Sequence, residues 1–126
     1  MSSTYKPVFL LAMLNNTDKK GHAQIDAVHK DFLNFYLQRG DKNLSVETER
    51  VRMKEAASLG EDEVSQIMLQ NPFEKFERRR YMKYDLPYFR FEYRLWRQVD
   101  AEDIEKIRLR CHEAIRGYYH GLVCSQ

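Results

Sequence analysis

Tyr81-Met82-Lys83-Tyr84-Asp85-Leu86-Pro87-Tyr88-Phe89-Arg90-Phe91-Glu92-Tyr93 is the stretch where the hydrophobic period of the chain shortens from about 3.6 residues to 2. Asp85-Leu86-Pro87 is a turn signal. Tyr88 to Tyr93 alternates, with Phe89, Phe91 and Tyr93 on one face and Tyr88, Arg90 and Glu92 on the other. This predicts a half-buried strand that folds back on Tyr81–Tyr84 as a β-hairpin.

Upstream of the hairpin the pattern is helical. Pro7 suits the first turn of a helix, where its missing N–H costs nothing, and Val8-Phe9-Leu10-Leu11-Ala12-Met13-Leu14 runs on without a polar residue. A helix apolar on all sides is a buried, central one. Asn15 to Asp18 end it, Lys19-Lys20-Gly21 turn, and His22 to Ile25 reads as a short extended piece. Asp26 is placed as an N-cap for a helix carrying Val28, Phe32, Phe35 and Tyr36, with Gly40 as its stop. Val46 to Ser58 reads as a charged, weakly amphipathic helix. Glu61-Asp62-Glu63 puts negative charge at the start of a further helix with Val64, Ile67 and Met68 on its apolar face. Pro72 disfavours helical geometry at Asn71 and predicts its end there, with Phe73, Phe76 and Glu77 forming one more turn.

Downstream, Asp100 and Asp103 form a shortened capping box, and Val99 and Ile104 are spaced as a hydrophobic staple. Ile104, Ile107, Cys111, Ala114, Ile115 and Tyr118 then make one apolar stripe, with Gly121 near its end. The fold class read from this order is α+β, mainly α: one winged-helix-like domain over residues 6–121, between a disordered start at 1–5 and a tail at 122–126. In a winged helix a helical core is followed by a hairpin that lies along the nucleic-acid backbone.

Composition narrows the function classes. The chain has 126 residues, 43% hydrophobic and 32% charged, which suits one globular domain. Its apolar runs fall far short of the ~20 residues a membrane span needs. Two cysteines, Cys111 and Cys124, without a secretion signal point to a reducing, cytoplasmic setting rather than a disulfide scaffold. Net charge is only +2, so any nucleic-acid signal lies in the distribution of charge.

That distribution is uneven. Phe73 to Arg97 holds eight basic residues, Lys75, Arg78, Arg79, Arg80, Lys83, Arg90, Arg94 and Arg97, against four acids, Glu74, Glu77, Asp85 and Glu92. It also holds nine of the sixteen aromatics. Cations interleaved with aromatics are what a surface that tracks a phosphate backbone and stacks bases requires. Strand packing alone also enriches aromatics, and arginine stems pack on rings in ordinary folds. The helix Asp62 to Gln70 takes the place of a recognition element, yet it begins with acids and offers only Ser65, Gln66, Gln70 and Asn71 as polar readers. The cations Lys75, Arg78, Arg79, Arg80, Lys83, Arg90 and Arg94 therefore read as holders of phosphate rather than readers of sequence.

The segments Lys6-Pro7-Val8-Phe9-Leu10-Leu11-Ala12-Met13-Leu14, Asp31-Phe32-Leu33-Asn34-Phe35-Tyr36, Asn71-Pro72-Phe73-Glu74-Lys75-Phe76-Glu77-Arg78, Tyr81-Met82-Lys83-Tyr84 and Leu95-Trp96 before Asp100-Ala101-Glu102-Asp103 occur in this order. From about Lys6 to Tyr119 the chain resembles a winged-helix-like domain appended to prokaryotic DEAD/DEAH-type helicases and to restriction or defence nucleases. The Lys-Pro start and the Asn-Pro-Phe segment are also distantly similar to the sulfur-recognising domain of certain HNH endonucleases. The resemblance implies DNA binding in a prokaryotic defence, mobile-element or regulatory setting, and a helicase or nuclease as protein partner.

Other chemistries find little support. His22, His29, His112 and His120 offer one loose pairing, His120 with Cys124, far from the paired short spacings of a structural zinc site, so no metal or other cofactor is expected. Gly-x-Ser-x-Gly, a phosphate-cradling Gly-rich loop and His-Glu-x-x-His are all missing, so no enzyme is expected. Trp96 and Arg97 are residue types that anchor protein interfaces, which leaves open a small accessory or inhibitory subunit. The two functions differ in charge logic. A DNA binder gathers the seven cations on one continuous basic face, whereas an accessory subunit pairs them with acids and exposes an apolar patch. The buried first helix makes a direct prediction: Leu11→Ala lowers stability by about 2–5 kcal/mol in a denaturant titration, and a loss near zero means the helix is exposed.

Overall fold

The computed structural model describes residues 4–41 and 61–124. Their order is α1 (Tyr5–Asn16), β1 (His22–Gln24), α2 (Ile25–Asp41), α3 (Glu61–Met68), a π turn (Leu69–Phe73), α4 (Glu74–Arg78), β2 (Met82–Asp85), β3 (Tyr88–Phe91), α5 (Tyr93–Trp96) and α6 (Ala101–Cys124). The charged helix expected over Val46 to Ser58 lies outside the described residues. Among the described residues no helix is long and apolar enough to cross a membrane.

The apolar run makes α1 the central element. Val8, Phe9 and Leu11 to Leu14 are all buried, and α2, the π turn and α6 pack around them. Phe9 is fully buried at the hub, with its ring 6.5 Å from Phe32, 6.3 Å from Phe73, 6.1 Å from Phe76 and 5.5 Å from Phe89. One side chain thereby meets α2, the π turn, α4 and β3.

The helix also starts earlier than expected. Tyr5 is only 4% exposed, its ring edge-on to Phe32 and Tyr36, and Thr4 is fully buried. The Thr4 hydroxyl shares hydrogen bonds with the hydroxyls of Tyr36 (2.9 Å) and Tyr119 (3.4 Å). Residues 4 and 5 therefore belong to the core and not to a disordered start, because they close the end where α1, α2 and α6 meet.

Pro72 does not end the helix as expected. The chain stays helical from Glu61 to Arg78, and Pro72 sits buried inside the π turn. There the Glu74 N–H reaches the Leu69 carbonyl, five residues back. The wider turn needs no N–H from proline and relieves the clash of its ring with the preceding turn. It also rotates the remainder of the helical stretch. In an unbroken helix, nine residues carry the chain about two and a half turns, which would set Phe73 opposite Val64. The extra residue brings Phe73 and Phe76 back toward Phe9.

The three strands form an antiparallel sheet in the order β1-β3-β2. Phe89 pairs with Ala23 on one side and Tyr84 on the other, and Met82 pairs with Phe91. Ala23, Met82, Phe89 and Phe91 face the core, where Phe89 stacks on Phe73 at 4.6 Å. His22, Arg90 and Lys83 form a row across the outer face. The alternation stops two residues early: Tyr93 begins α5 and is 62% exposed, not turned inward. The chain bends there because Trp96 folds back on the sheet. Its ring stacks on Phe91 at 5.0 Å, and its indole N–H donates to the Lys19 carbonyl at 3.0 Å.

The capping box of α6 is present, with the Asp103 N–H donating to Asp100 (2.8 Å) and the Asp100 N–H to Asp103 (3.2 Å). Cys111, Ile115 and Tyr119 form its buried stripe, and Tyr119 lies outside the stripe expected from spacing. The helix runs through Gly121 to Cys124, into the stretch read as a tail. Arg108 donates to the Leu14 carbonyl (3.2 Å) and to Asn15 (2.5 Å), capping the C-terminal end of α1. Burial pushes the Cys111 thiol up to about 11, against a smaller opposing pull from Arg108, so it stays protonated at neutral pH.

Two glycines test this packing in opposite directions. Gly21 has φ +84°, and a Cβ there would lie 2.8 Å from the Trp96 ring, whereas Gly117 faces open space. Gly21→Ala is expected to cost at least about 1–2 kcal/mol, and Gly117→Ala to stabilise by about 0.5–1 kcal/mol. Denaturant midpoints read both, and a neutral Gly21→Ala contradicts the Trp96 packing.

Candidate nucleic-acid interface

The candidate site begins where α4 stops. The Tyr81 N–H donates to the Phe76 carbonyl (3.0 Å) and the Arg80 N–H to the Glu77 carbonyl (2.9 Å). This is the Schellman arrangement, in which the residue after the cap turns left-handed and is usually glycine. Here that residue is Arg80, at φ 62°. It is the one non-glycine residue with positive φ among those described. Arg78, Arg79 and Arg80 all emerge exposed at this corner, and the chain then enters β2.

Arg80, Lys83 and Arg94 come together around an open concavity of about 610 Å³, which Glu77, Met82 and Glu92 also line. Lys83 pairs with Glu92 at 3.3 Å, which leaves Arg80 and Arg94 against the single carboxylate of Glu77. Arg79 lies beside Arg80 in the chain, and Lys75 one helical turn before Arg78 and Arg79.

The remaining cations are placed differently. Arg78 pairs with Glu74 at 3.5 Å across one turn of α4. Arg90 lies on the outer sheet face 3.6 Å from Asp85, its Nε buried without a hydrogen-bond partner. The seven cations are thus not one unbroken basic face. Three are paired with acids, while Lys75, Arg79, Arg80 and Arg94 have no ion pair among the described residues. Exposed pairs such as Arg78–Glu74 contribute little to stability, and the cations without an ion pair are the ones most available to a ligand.

Trp96 is half-buried and engaged with Phe91 and Lys19; Arg97 is exposed and lies 5.7 Å over the ring of Tyr93. The exposed rings at the base of the hairpin, Tyr81 and Tyr93, carry no mark in the sequence that sets them apart from the other aromatics. Alternation assigns Tyr93 to the core, and only the turn required by Trp96 places it outside. Among the described residues no group of three or more His, Cys, Asp or Glu side chains is placed to hold a metal ion. Comparison of the chain with protein-family models, curated proteins and solved structures returned no match.

The left-handed arginine gives a stability prediction. Glycine adopts this conformation without the Cβ penalty of about 1–2 kcal/mol but loses more backbone entropy on folding. Arg80→Gly should therefore raise stability by about 0.5–1 kcal/mol in thermal or denaturant unfolding. A clear loss would mean that the Arg80 side chain holds the corner together.

Proposed function

We propose that this chain is a non-enzymatic, winged-helix-like DNA-binding module that contacts phosphates with little sequence readout. The setting implied by the resemblance is prokaryotic defence, mobile-element or regulatory. Three helical stretches, a β1-β3-β2 sheet and a hairpin after the third stretch support a winged-helix-like reading. In that layout α3 would face the major groove. Its exposed side chains, Glu63 and Gln66, and Gln70 after it include no cation, so base reading there is limited to amides. The cations lie beyond it, at the α4–β2 corner and the wing base.

The observation that carries the reading is Arg80. A cation is kept in a conformation that favours glycine, at the rim of a concavity shared with Lys83 and Arg94. Local strain of this kind concentrates where the side chain has a task outside the fold. A second reading, an accessory or inhibitory subunit in a nucleic-acid-processing complex, draws on the hairpin, where Tyr84 and Leu86 are exposed, and on the three acid-paired cations.

Duplex binding across a salt series tests the first reading. Combining Arg79→Ala, Arg80→Gly and Arg94→Ala should weaken binding about equally for unrelated sequences. The slope of log affinity against log salt should become shallower by about 0.9 for each phosphate that is no longer neutralised. Arg78→Ala, which removes a cation already paired with Glu74, should change the slope less. Weakening confined to one sequence contradicts phosphate holding, and no DNA binding by the intact chain at low salt favours the accessory-subunit reading.

A further inference from the structure

Two exposed tyrosines are chain neighbours of residues that line the same concavity. Tyr81 lies between Arg80 and Met82, and Tyr93 between Glu92 and Arg94, four residues that line it. The Glu92 N–H donates to the Tyr81 carbonyl at 2.8 Å, so the two tyrosines leave adjoining backbone at the base of the wing. They are 43% and 62% exposed. Tyr93 has the Arg97 guanidinium on its ring, whereas Tyr81 makes no ring contact within the described residues.

We propose that this wing base binds unpaired nucleotides, so that the ligand is single-stranded DNA or a single-stranded tail beside a duplex. The proposal rests on the phosphate-holding reading and deepens it. A duplex presents its phosphates outward and keeps its base faces stacked, which gives exposed rings nothing to meet. An unpaired strand offers both at once: phosphates for Arg80 and Arg94, and base faces for Tyr81 and Tyr93. One acid in the lining fits the same ligand: with Glu92 held by Lys83, the Glu77 carboxylate is left to accept N–H groups from the edges of unpaired bases. The Arg97–Tyr93 stack is also of the kind that a base extends on its free side.

The test compares a labelled oligo-dT strand, a blunt duplex of similar length and the same duplex with a dT tail, on the whole chain at low salt. Tyr81→Leu and Tyr93→Leu keep apolar bulk but remove the π face, and thermal melting verifies that both variants fold. Each substitution should lower affinity for oligo-dT and the tailed duplex by about 5- to 150-fold, the equivalent of ~1–3 kcal/mol per stacked base. The blunt duplex and the salt slope should be unchanged, because no charge is removed. Tyr81→Phe and Tyr93→Phe should retain binding, since stacking needs the ring and not the hydroxyl. If the leucine variants bind oligo-dT as well as the intact chain while the cation variants do not, stacking is overturned and phosphate holding stands. If the intact chain binds none of the three probes, both fall.

Discussion

Burial of most of α1 is the constraint on which the rest of the molecule depends. A helix whose run from Val8 to Leu14 carries no polar residue has to be covered on most of its surface, and the cover draws on several of the other described elements. Phe9 shows how this is done, meeting rings from α2, the π turn, α4 and β3. That demand explains the departures from local preference. The π turn exists because Phe73 and Phe76 have to face Phe9, and it accommodates Pro72 in the same step. Thr4 and Tyr5 are ordered because the end of α1 would otherwise lie open between α2 and α6.

The surface inherits its layout from this core. Phe89 and Phe91 commit one face of the sheet inward, which puts Lys83 and Arg90 on the other. Trp96 then closes over Gly21 and Phe91, and that closure sends α5 outward and exposes Tyr93 and Arg94. The Schellman corner adds Arg80 from the opposite strand of the hairpin. Cations and rings are therefore held on backbone anchored by buried neighbours.

Features set by local sequence were legible. The apolar run gave a central helix, the alternation after Pro87 gave the hairpin, and Asp100 with Asp103 gave the start of α6, because each depends on neighbours a few residues away. Features set across the chain were not. Tyr119, rather than Tyr118, is the more deeply buried ring because it closes on Thr4, more than a hundred residues earlier. The outward turn of Tyr93 depends on a hydrogen bond from Trp96 to Lys19. The site shows the same division. Its residue types stand out as a run of cations and aromatics, but the pairing of Lys83 with Glu92 and Arg90 with Asp85 comes from strand register. Nothing in Arg78-Arg79-Arg80 announces a left-handed residue, since no glycine or asparagine marks the helix end.

Backbone amide shifts, followed while the 15.2 kDa chain is titrated with a short DNA strand, put the proposed nucleic-acid binding at the base of the hairpin to the sharpest test. The largest changes should fall on Arg79 to Lys83 and Glu92 to Arg97, with little movement at the start of α3 or along the outer face of α6. Changes concentrated on α3, on the hairpin tip at Leu86, or nowhere on the chain would contradict binding at the base of the hairpin.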